Sequence, residues 1–157
     1  METEKKQTDE KKELRTGFTT GTCAAACTRA AVLFLCTGEA PAAAETVTPS
    51  GVRAILPIVR AEREEDSAVC GVQKDSGDDP DVTNGILVYA TVQKVEKKSK
   101  INSENSVDLS EKINLDGGIG IGRVTKPGLE QKIGQAAINK VPRRMICEAV
   151  EEVCGKY

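Results

Sequence analysis

Residues 23–37 carry apolar side chains on most faces of a helix, and this run constrains the fold more than any other feature of the chain. A helix with a single apolar stripe lies at a protein surface, whereas a helix that is apolar on most faces lies inside. We therefore predict a largely buried helix against which the other elements pack. Thr20 or Thr22 is its expected N-cap, and Gly38 is its expected end.

The sequence after this helix predicts several strands followed by a second helix. Alternating and β-branched residues indicate strands at residues 46–48, 52–59, 68–74 and 86–95, with a weaker pattern at 106–115. Turn residues between the first two strands predict a hairpin, and residues 62–66 and 97–105 predict polar turns. Pro57 places its strand near a sheet edge or a bulge. Residues 142–153 predict a helix with proline in its first turn.

Strands joined by hairpins or short links favour an α+β fold. We predict a two-layer sandwich in which helices pack on one face of a mostly antiparallel sheet. Residues 1–13 are charged and lack the apolar core of a secretory signal, so they predict a disordered tail. The predicted domain covers residues 14–157.

Composition and charge argue against several classes of protein. The net charge is -2 with basic and acidic residues interspersed, which gives no reason to expect binding to nucleic acid or to a membrane surface. Aromatic residues make up 3% of the chain, too few for base-stacking platforms. No apolar run approaches the ~20 residues of a membrane span. We expect a cytoplasmic protein.

The six cysteines and the lack of histidine restrict metal and redox chemistry. No two cysteines have the C-x-x-C spacing of a zinc knuckle or redox pair. Cys23 and Cys27 share a helical face, and we expect them to be small buried hydrophobes in a reducing cytosol. The alternative, a soft-metal site, would lack histidine. We therefore expect no protein-bound metal.

A hydroxyl-rich segment, residues 16–22, runs into the start of the first helix. Free N–H groups at a helix N-terminus bind anions, and the hydroxyl groups of Thr19 and Thr20 add donors. Helix capping explains the same composition at least as well. Thr19 and Thr20 are therefore candidate ligand-binding residues with a structural alternative.

An acidic segment, residues 74–85, places four carboxylates within seven residues next to a lysine. So many like charges destabilise a loop unless something neutralises them. The spacing does not fit a calcium loop, because the glycine falls one position late and the twelfth residue is alanine. Two interpretations of the segment remain: it takes part in acid/base chemistry or ligand binding, or it is a solvated turn. The candidates are Lys74, Asp75, Asp78, Asp79, Asp81 and Asn84.

A glycine-rich segment, residues 116–128, is the third candidate. Gly120 and Gly122 allow a backbone to approach a ligand closely, and Arg123 and Lys126 can recognise carboxylate or phosphate. The segment lacks the ending of a Walker loop and the glycine spacing of a dinucleotide fingerprint. A bulge in a strand is the structural alternative.

These segments together resemble one family, the cobalt-precorrin-5B C1-methyltransferases of anaerobic cobalamin biosynthesis. Four ordered motifs carry the resemblance: LRTGFTTGTCAAA at 14–26, KDSGDDPDVTNG at 74–85, GIGRVTKPGL at 120–129, and AIN with VPRRMI at 137–146. Ala136 and Lys140 stand where the family usually has proline. Family members are expected to be roughly twice this length, on the scale of ordinary domain sizes.

The resemblance implies S-adenosylmethionine as methyl donor and a cobalt corrinoid as substrate. It also implies an α+β amino-terminal domain followed by a Rossmann-like domain that this chain lacks. A carboxy-terminal domain or a separate subunit would then supply the rest of the enzyme. A non-catalytic corrinoid-binding module, an inactive fragment and a phosphate-ligand enzyme are the alternatives.

The resemblance also suggests roles for individual residues. The corrinoid carries acetate and propionate groups, which basic side chains would bind. Asp75, Asp78 and Asp79 are the catalytic candidates: they would take up a proton, contact the donor's amino acid or ribose, or brace the basic residues. The substrate-binding candidates are Thr19, Thr20, Lys74, Asp81, Asn84, Gly120, Gly122, Arg123, Thr125, Lys126, Arg143 and Arg144.

Overall fold

The structure, a computed structural model, describes residues 13–96 and 113–157. The predicted tail except Glu13, the polar turn at 97–105 and most of the weak strand at 106–115 lie outside these residues. The elements in chain order are α1 (Thr20–Thr37), β1 (Ala43–Val47), β2 (Arg53–Pro57), β3 (Arg60–Arg63), β4 (Ser67–Gln73), β5 (Leu87–Gln93) and α2 (Lys140–Cys154).

The described strands form two antiparallel sheets. Strands β1 and β2 make a hairpin in which Ala44 pairs with Leu56. Strands β3, β4 and β5 make a three-stranded sheet in which Cys70 of β4 pairs with Ala90 of β5. The α+β class and the antiparallel pairing are confirmed.

Helix α1 is the centre of the molecule because several elements pack on it at once. It contacts β1, β4, β5 and α2. Its buried residues are mostly small: Cys23, Ala26, Cys27, Ala30 and Ala31 are each at most 1% exposed. Small side chains let the sheets and α2 approach the helix closely, which explains why its sequence is apolar on most faces.

The length and apolarity of α1 also satisfy the test for a membrane span, but 56% of its residues are buried inside the protein. Burial of this kind is what a core helix requires, and it accounts for the composition of α1 without a membrane.

The predicted ends of α1 were correct at Gly38 and wrong at the N-cap. Gly38 adopts φ of 80° and donates its N–H to the carbonyl of Phe34 at 2.9 Å. The N-cap is Thr19, not Thr20 or Thr22, because Thr19 has extended backbone dihedrals and its hydroxyl accepts from the N–H of Thr22 at 3.1 Å.

The predicted strand at 52–59 is two strands in different sheets. Pro57 ends β2, and the chain turns over the next two residues into β3. Proline lacks the N–H that a continuing ladder would need. The predicted turn at 62–66 was also too long, because Glu62 and Arg63 belong to β3.

Three thiols lie in the core, where burial disfavours the charged thiolate. Burial raises the pKa of Cys27 to about 12, and it also raises the pKa values of Cys23 and Cys70. The Cys27 thiol donates to the carbonyl of Val88 at 3.0 Å. These residues fill space in the core, as the sequence predicted for Cys23 and Cys27.

We expect alkylation to separate the cysteines by exposure. Cys36 and Cys154 are exposed, so iodoacetamide at pH 8 should label them while the protein is folded. Cys27 should become labelled only after denaturation, because its thiol is buried and remains protonated. Peptide mass mapping over time measures both rates. Equal labelling rates for Cys27 and Cys36 in the native protein would contradict the core packing described above.

Candidate functional site

The segment before α1 is joined to the acidic loop, residues 74–85, across a long stretch of sequence. Thr16 forms an antiparallel bridge with Gly77. The N–H of Phe18 donates to the carbonyl of Asp75 at 2.7 Å. The amino-terminal segment, residues 14–19, therefore lies alongside the acidic loop as a short backbone ladder.

Arg15 neutralises part of the acidic loop. Its guanidinium makes a two-point pair with Asp75, with N–O distances of 2.5 and 3.0 Å. Its backbone N–H donates to Asp78 Oδ2 at 2.7 Å. The bond from Arg15 lowers the pKa of Asp75, and a further bond from the Gly77 N–H adds to the effect. Asp75 is therefore paired with Arg15, a basic residue that was not among the predicted substrate-binding residues.

Two glycines make this close approach feasible. A Cβ on Gly17 would lie 1.9 Å from the carbonyl carbon of Ser76. A Cβ on Gly77, whose φ is 65°, would lie 2.1 Å from the carbonyl oxygen of Arg15. Only glycine fits at either position, since the opposing atoms are backbone atoms that cannot rotate away.

Lys74 is a buried charge at the base of the acidic loop and is 3% exposed. Its Nζ donates to Ser76 Oγ at 3.0 Å, to Thr83 Oγ1 at 2.6 Å and to a carboxylate oxygen of Asp81. An ammonium group has three donors, and all three are used within the protein. The bond from Lys74 holds the pKa of Asp81 well below its usual range, with help from Thr83.

A cavity of about 850 Å³ opens between the amino-terminal segment, the acidic loop and the start of α2. Six of the predicted site residues line it: Thr19, Thr20, Lys74, Asp78, Asp79 and Asp81. The sequence analysis missed the other lining residues, among them Arg15, Ser76, Asn139 and the apolar Leu14, Phe18, Pro49, Pro142 and Met145. Arg15 and Ser76 lie inside the motifs at residues 14–26 and 74–85, and their place in those motifs was the sequence signal that could have identified them.

Both helices begin at this cavity. A Cβ on Gly21 of α1 would lie 2.9 Å from Cγ of Pro142 in α2, so the first turns of the two helices are in contact. Thr19 caps α1, and Asn139 is the N-cap of α2 but makes no capping bond with its side chain. The cavity is therefore next to two sets of helix N-terminal N–H groups.

The glycine-rich segment lies apart from the lining of this cavity. Arg123 pairs with Asp116 at N–O distances of 2.5 and 3.0 Å, and its backbone bridges Ala136. The pair with Arg123 lowers the pKa of Asp116. Gly120 has φ of 87°, so part of its role is to permit a left-handed turn.

The remaining predicted residues have mainly structural contacts. Arg143 donates to the carbonyls of Ile138 and Ala136 at 2.9 and 3.0 Å, which fixes the chain entering α2. Arg144 lies 3.6 Å from Glu148 on the exposed face of α2. The side-chain oxygen of Asn84 accepts from the Ser76 N–H at 2.9 Å. Thr125 and Lys126 are exposed.

The chain is an α+β domain, and a cavity of this size with a few converging polar groups is the usual form of a small-molecule site. Comparison with known proteins gives the family. The sequence matches the CbiD family model over residues 7–157. The chain therefore belongs to the CbiD family.

Individual relatives agree with this assignment. A protein of Geobacillus kaustophilus named cobalt-precorrin-5B C(1)-methyltransferase is 45% identical over 147 residues, covering 94% of this chain and 36% of the relative. A Picrophilus torridus protein of the same name is 49% identical, with coverage of 90% and 38%. A crystal structure of the cobalamin biosynthesis protein CbiD from Archaeoglobus fulgidus matches with a TM-score of 0.52 at 28% identity, covering 91% of this chain and 40% of that one.

The resemblance found in the sequence is confirmed, with one correction on length. The chain spans only about a third of these curated relatives, 36% and 38% in the two cases. The expected length ratio of two was therefore too small. The Rossmann-like nature of the additional portion stays a prediction.

Proposed function

We propose that this chain supplies the amino-terminal part of an S-adenosylmethionine-dependent methyltransferase that methylates cobalt-precorrin-5B at ring carbon C1. The observation that carries the proposal is the match of 94% of the chain, at 45% identity, to a protein named for that reaction. The remaining portion of the relatives has no counterpart in this chain. A second chain or domain completes the catalytic unit.

The cavity supports this proposal because methyl transfer depends chiefly on positioning. The acceptor carbon must approach the sulfonium methyl in line, and the enzyme gains most by holding both ligands together and excluding water. A volume of about 850 Å³ lies within the range of ~300–1,000 Å³ typical of small-molecule sites. The Arg15–Asp75 and Lys74–Asp81 pairs hold the acidic loop at its wall.

The basic residues outside the cavity suit the polycarboxylate acceptor. Arg123, Lys126 and Arg144 are exposed, and exposed cations bind carboxylates without first losing a buried partner. Arg123 is paired with Asp116 and Arg144 with Glu148. A substrate carboxylate would replace these partners or bind to the same guanidinium beside them. Arg143 would act by shaping the segment before α2.

A chimera tests the proposal. The matched amino-terminal portion of the Geobacillus kaustophilus relative is replaced by this chain, and methyl transfer from labelled S-adenosylmethionine to cobalt-precorrin-5B is followed by mass spectrometry. We expect a single added methyl group on the corrinoid, as with the intact relative. A folded chimera that binds both ligands without transfer would favour a non-catalytic corrinoid-binding module.

A further inference from the structure

Strand β5 lies at the edge of its sheet in the described part of the chain, since β4 is its one neighbour in the order β3-β4-β5. Just beyond one end of this ladder, Lys94 donates its N–H to the carbonyl of Asp66 at 2.8 Å. Just beyond the other end, Lys74 donates its N–H to the carbonyl of Ile86 at 2.9 Å. Hydrogen-bonded pairs alternate along an antiparallel ladder, so every second β5 residue points its N–H and C=O away from β4. These residues are Leu87, Tyr89, Thr91 and Gln93.

The outward backbone groups of β5 have no partner within residues 13–96 and 113–157. No backbone bond joins them there to a loop or to another strand. Proteins commonly protect such an edge with charged side chains or proline. The other described strands at sheet edges carry charges, such as Glu45 in β1, Arg53 in β2 and Arg60 in β3. The sequence of β5, LVYATVQ, has no charge and no proline, so its edge is suited to pairing with a further strand.

The hydrophobic core is also incompletely closed beside β5. In the core that α1 shares with the sheet, three β4 residues are at most 1% exposed: Ala68, Cys70 and Val72. The three β5 residues paired with them pack on the same core but are only half-buried: Val92, Ala90 and Val88. A strand added beside β5 would cover the open side of these residues and bury apolar surface.

The length of the relatives indicates what occupies this edge. The chain spans 36% and 38% of two of them, and the proposed function requires the portion that has no counterpart here. Residues 113–118, where the described chain resumes after β5, form no strand and no bridge with β5. Addition of a strand to an open sheet edge joins two parts of a protein through backbone bonds, while alternate side chains give specificity.

We propose that β5 is the docking edge for the portion of the methyltransferase that this chain lacks, and that this portion adds a strand to the β3-β4-β5 sheet. The inference rests on the proposed function, which requires that portion. Alternate residues of the added strand are small or aliphatic and extend the core beside Val88 and Val92. Its backbone pairs with the outward N–H and C=O groups of Tyr89 and Thr91.

Amide hydrogen exchange at single-residue resolution tests the pairing, by comparing this chain with the chimera described above. In the chain alone, the N–H groups of Tyr89 and Thr91 should exchange at least about a hundredfold faster than those of Val88 and Ala90, which bond to β4. In the chimera, Tyr89 and Thr91 should slow to the rates of their neighbours. Docking that does not use the edge would leave the alternation in place.

Two proline variants provide a second measurement. Thr91→Pro removes an outward N–H of β5 and leaves the bonds to β4 intact. Ala61→Pro is the matched control on the other edge of the sheet: Ala61 pairs with Cys70, whose own backbone groups point toward β5, so the Ala61 N–H also points outward. In the chain alone, the two variants should have similar Tm values. In the chimera, Thr91→Pro should lower Tm by at least about 2 °C more than Ala61→Pro does.

Two results would overturn the inference. One is equal protection of Tyr89 and Ala90 in the chain alone, which would assign the edge to another segment of this chain, or to a second copy if the protection depends on protein concentration. The other is rapid exchange of Tyr89 in a folded chimera. Methyl transfer by the chimera is measured separately. A protected edge without transfer would contradict the proposed function alone, and transfer with an open edge would contradict the docking alone.

Discussion

Replacing Gly17 with alanine should destabilise the protein by about 4 kcal/mol or more, at the upper end of single-residue effects. The new Cβ would lie 1.9 Å from the carbonyl carbon of Ser76 and 2.3 Å from the N atom of Gly77. Both are backbone atoms of the acidic loop, so relief requires the amino-terminal segment to separate from that loop. Total stabilities of domains are only about 5–15 kcal/mol, so a large share would be lost.

The matched control is the same substitution at Gly118. A Cβ there has no atom within 4 Å, and its φ is not in the left-handed region. Thermal unfolding followed by circular dichroism should show a large fall in Tm for Gly17→Ala and almost none for Gly118→Ala. Similar melting temperatures for the two variants would show that the amino-terminal segment does not pack on the acidic loop.

Sequence patterns were most informative where the cause of a structure is local. Helix α1 could be predicted because its residues are apolar on most faces, and Gly38 because a left-handed cap favours glycine. The N-cap was missed by one residue because Thr19, Thr20 and Thr22 are chemically equivalent in sequence. The extended backbone of Thr19 decides among them, and the sequence does not contain that information directly.

The features of the site that could not be predicted depend on contacts between residues that are far apart in the sequence. The like charges of the acidic loop require a neutralising group. One such group is Arg15, which pairs with Asp75 although the two residues are 60 positions apart in the sequence. Lys74 looked like a ligand-binding residue because it adjoins the carboxylates. Its burial and three internal partners became visible only in the fold. The position of the glycine-rich segment relative to the cavity could not be predicted either, because the sequence gives no measure of that distance.

The buried Lys74–Asp81 pair should respond unequally to loss of its two members. Asp81→Asn leaves the ammonium of Lys74, which is 3% exposed, without an opposite charge, and breaking a buried pair in this way is strongly destabilising. Lys74→Met leaves the Asp81 side chain 35% exposed and able to hydrate. We expect Asp81→Asn to raise the unfolding equilibrium constant at least about tenfold more than Lys74→Met does. Urea unfolding at pH 7 measures both, and an equal or larger loss for Lys74→Met would refute the asymmetry.

The same pair makes stability depend on acidity in a defined direction. The folded pKa of Asp81 is lowered by Lys74, so below the usual carboxyl pKa of about 3.9 the unfolded chain binds more protons than the folded chain. The stabilisation is therefore complete above that pH and is lost as the pH falls toward the folded pKa. Asp75 and Asp116 are lowered in the same way by Arg15 and Arg123. Asp81→Asn should therefore reduce, without abolishing, the fall in the free energy of unfolding between pH 5 and pH 2. If the variant keeps the full wild-type dependence on pH, Asp81 is not the partner of the buried lysine.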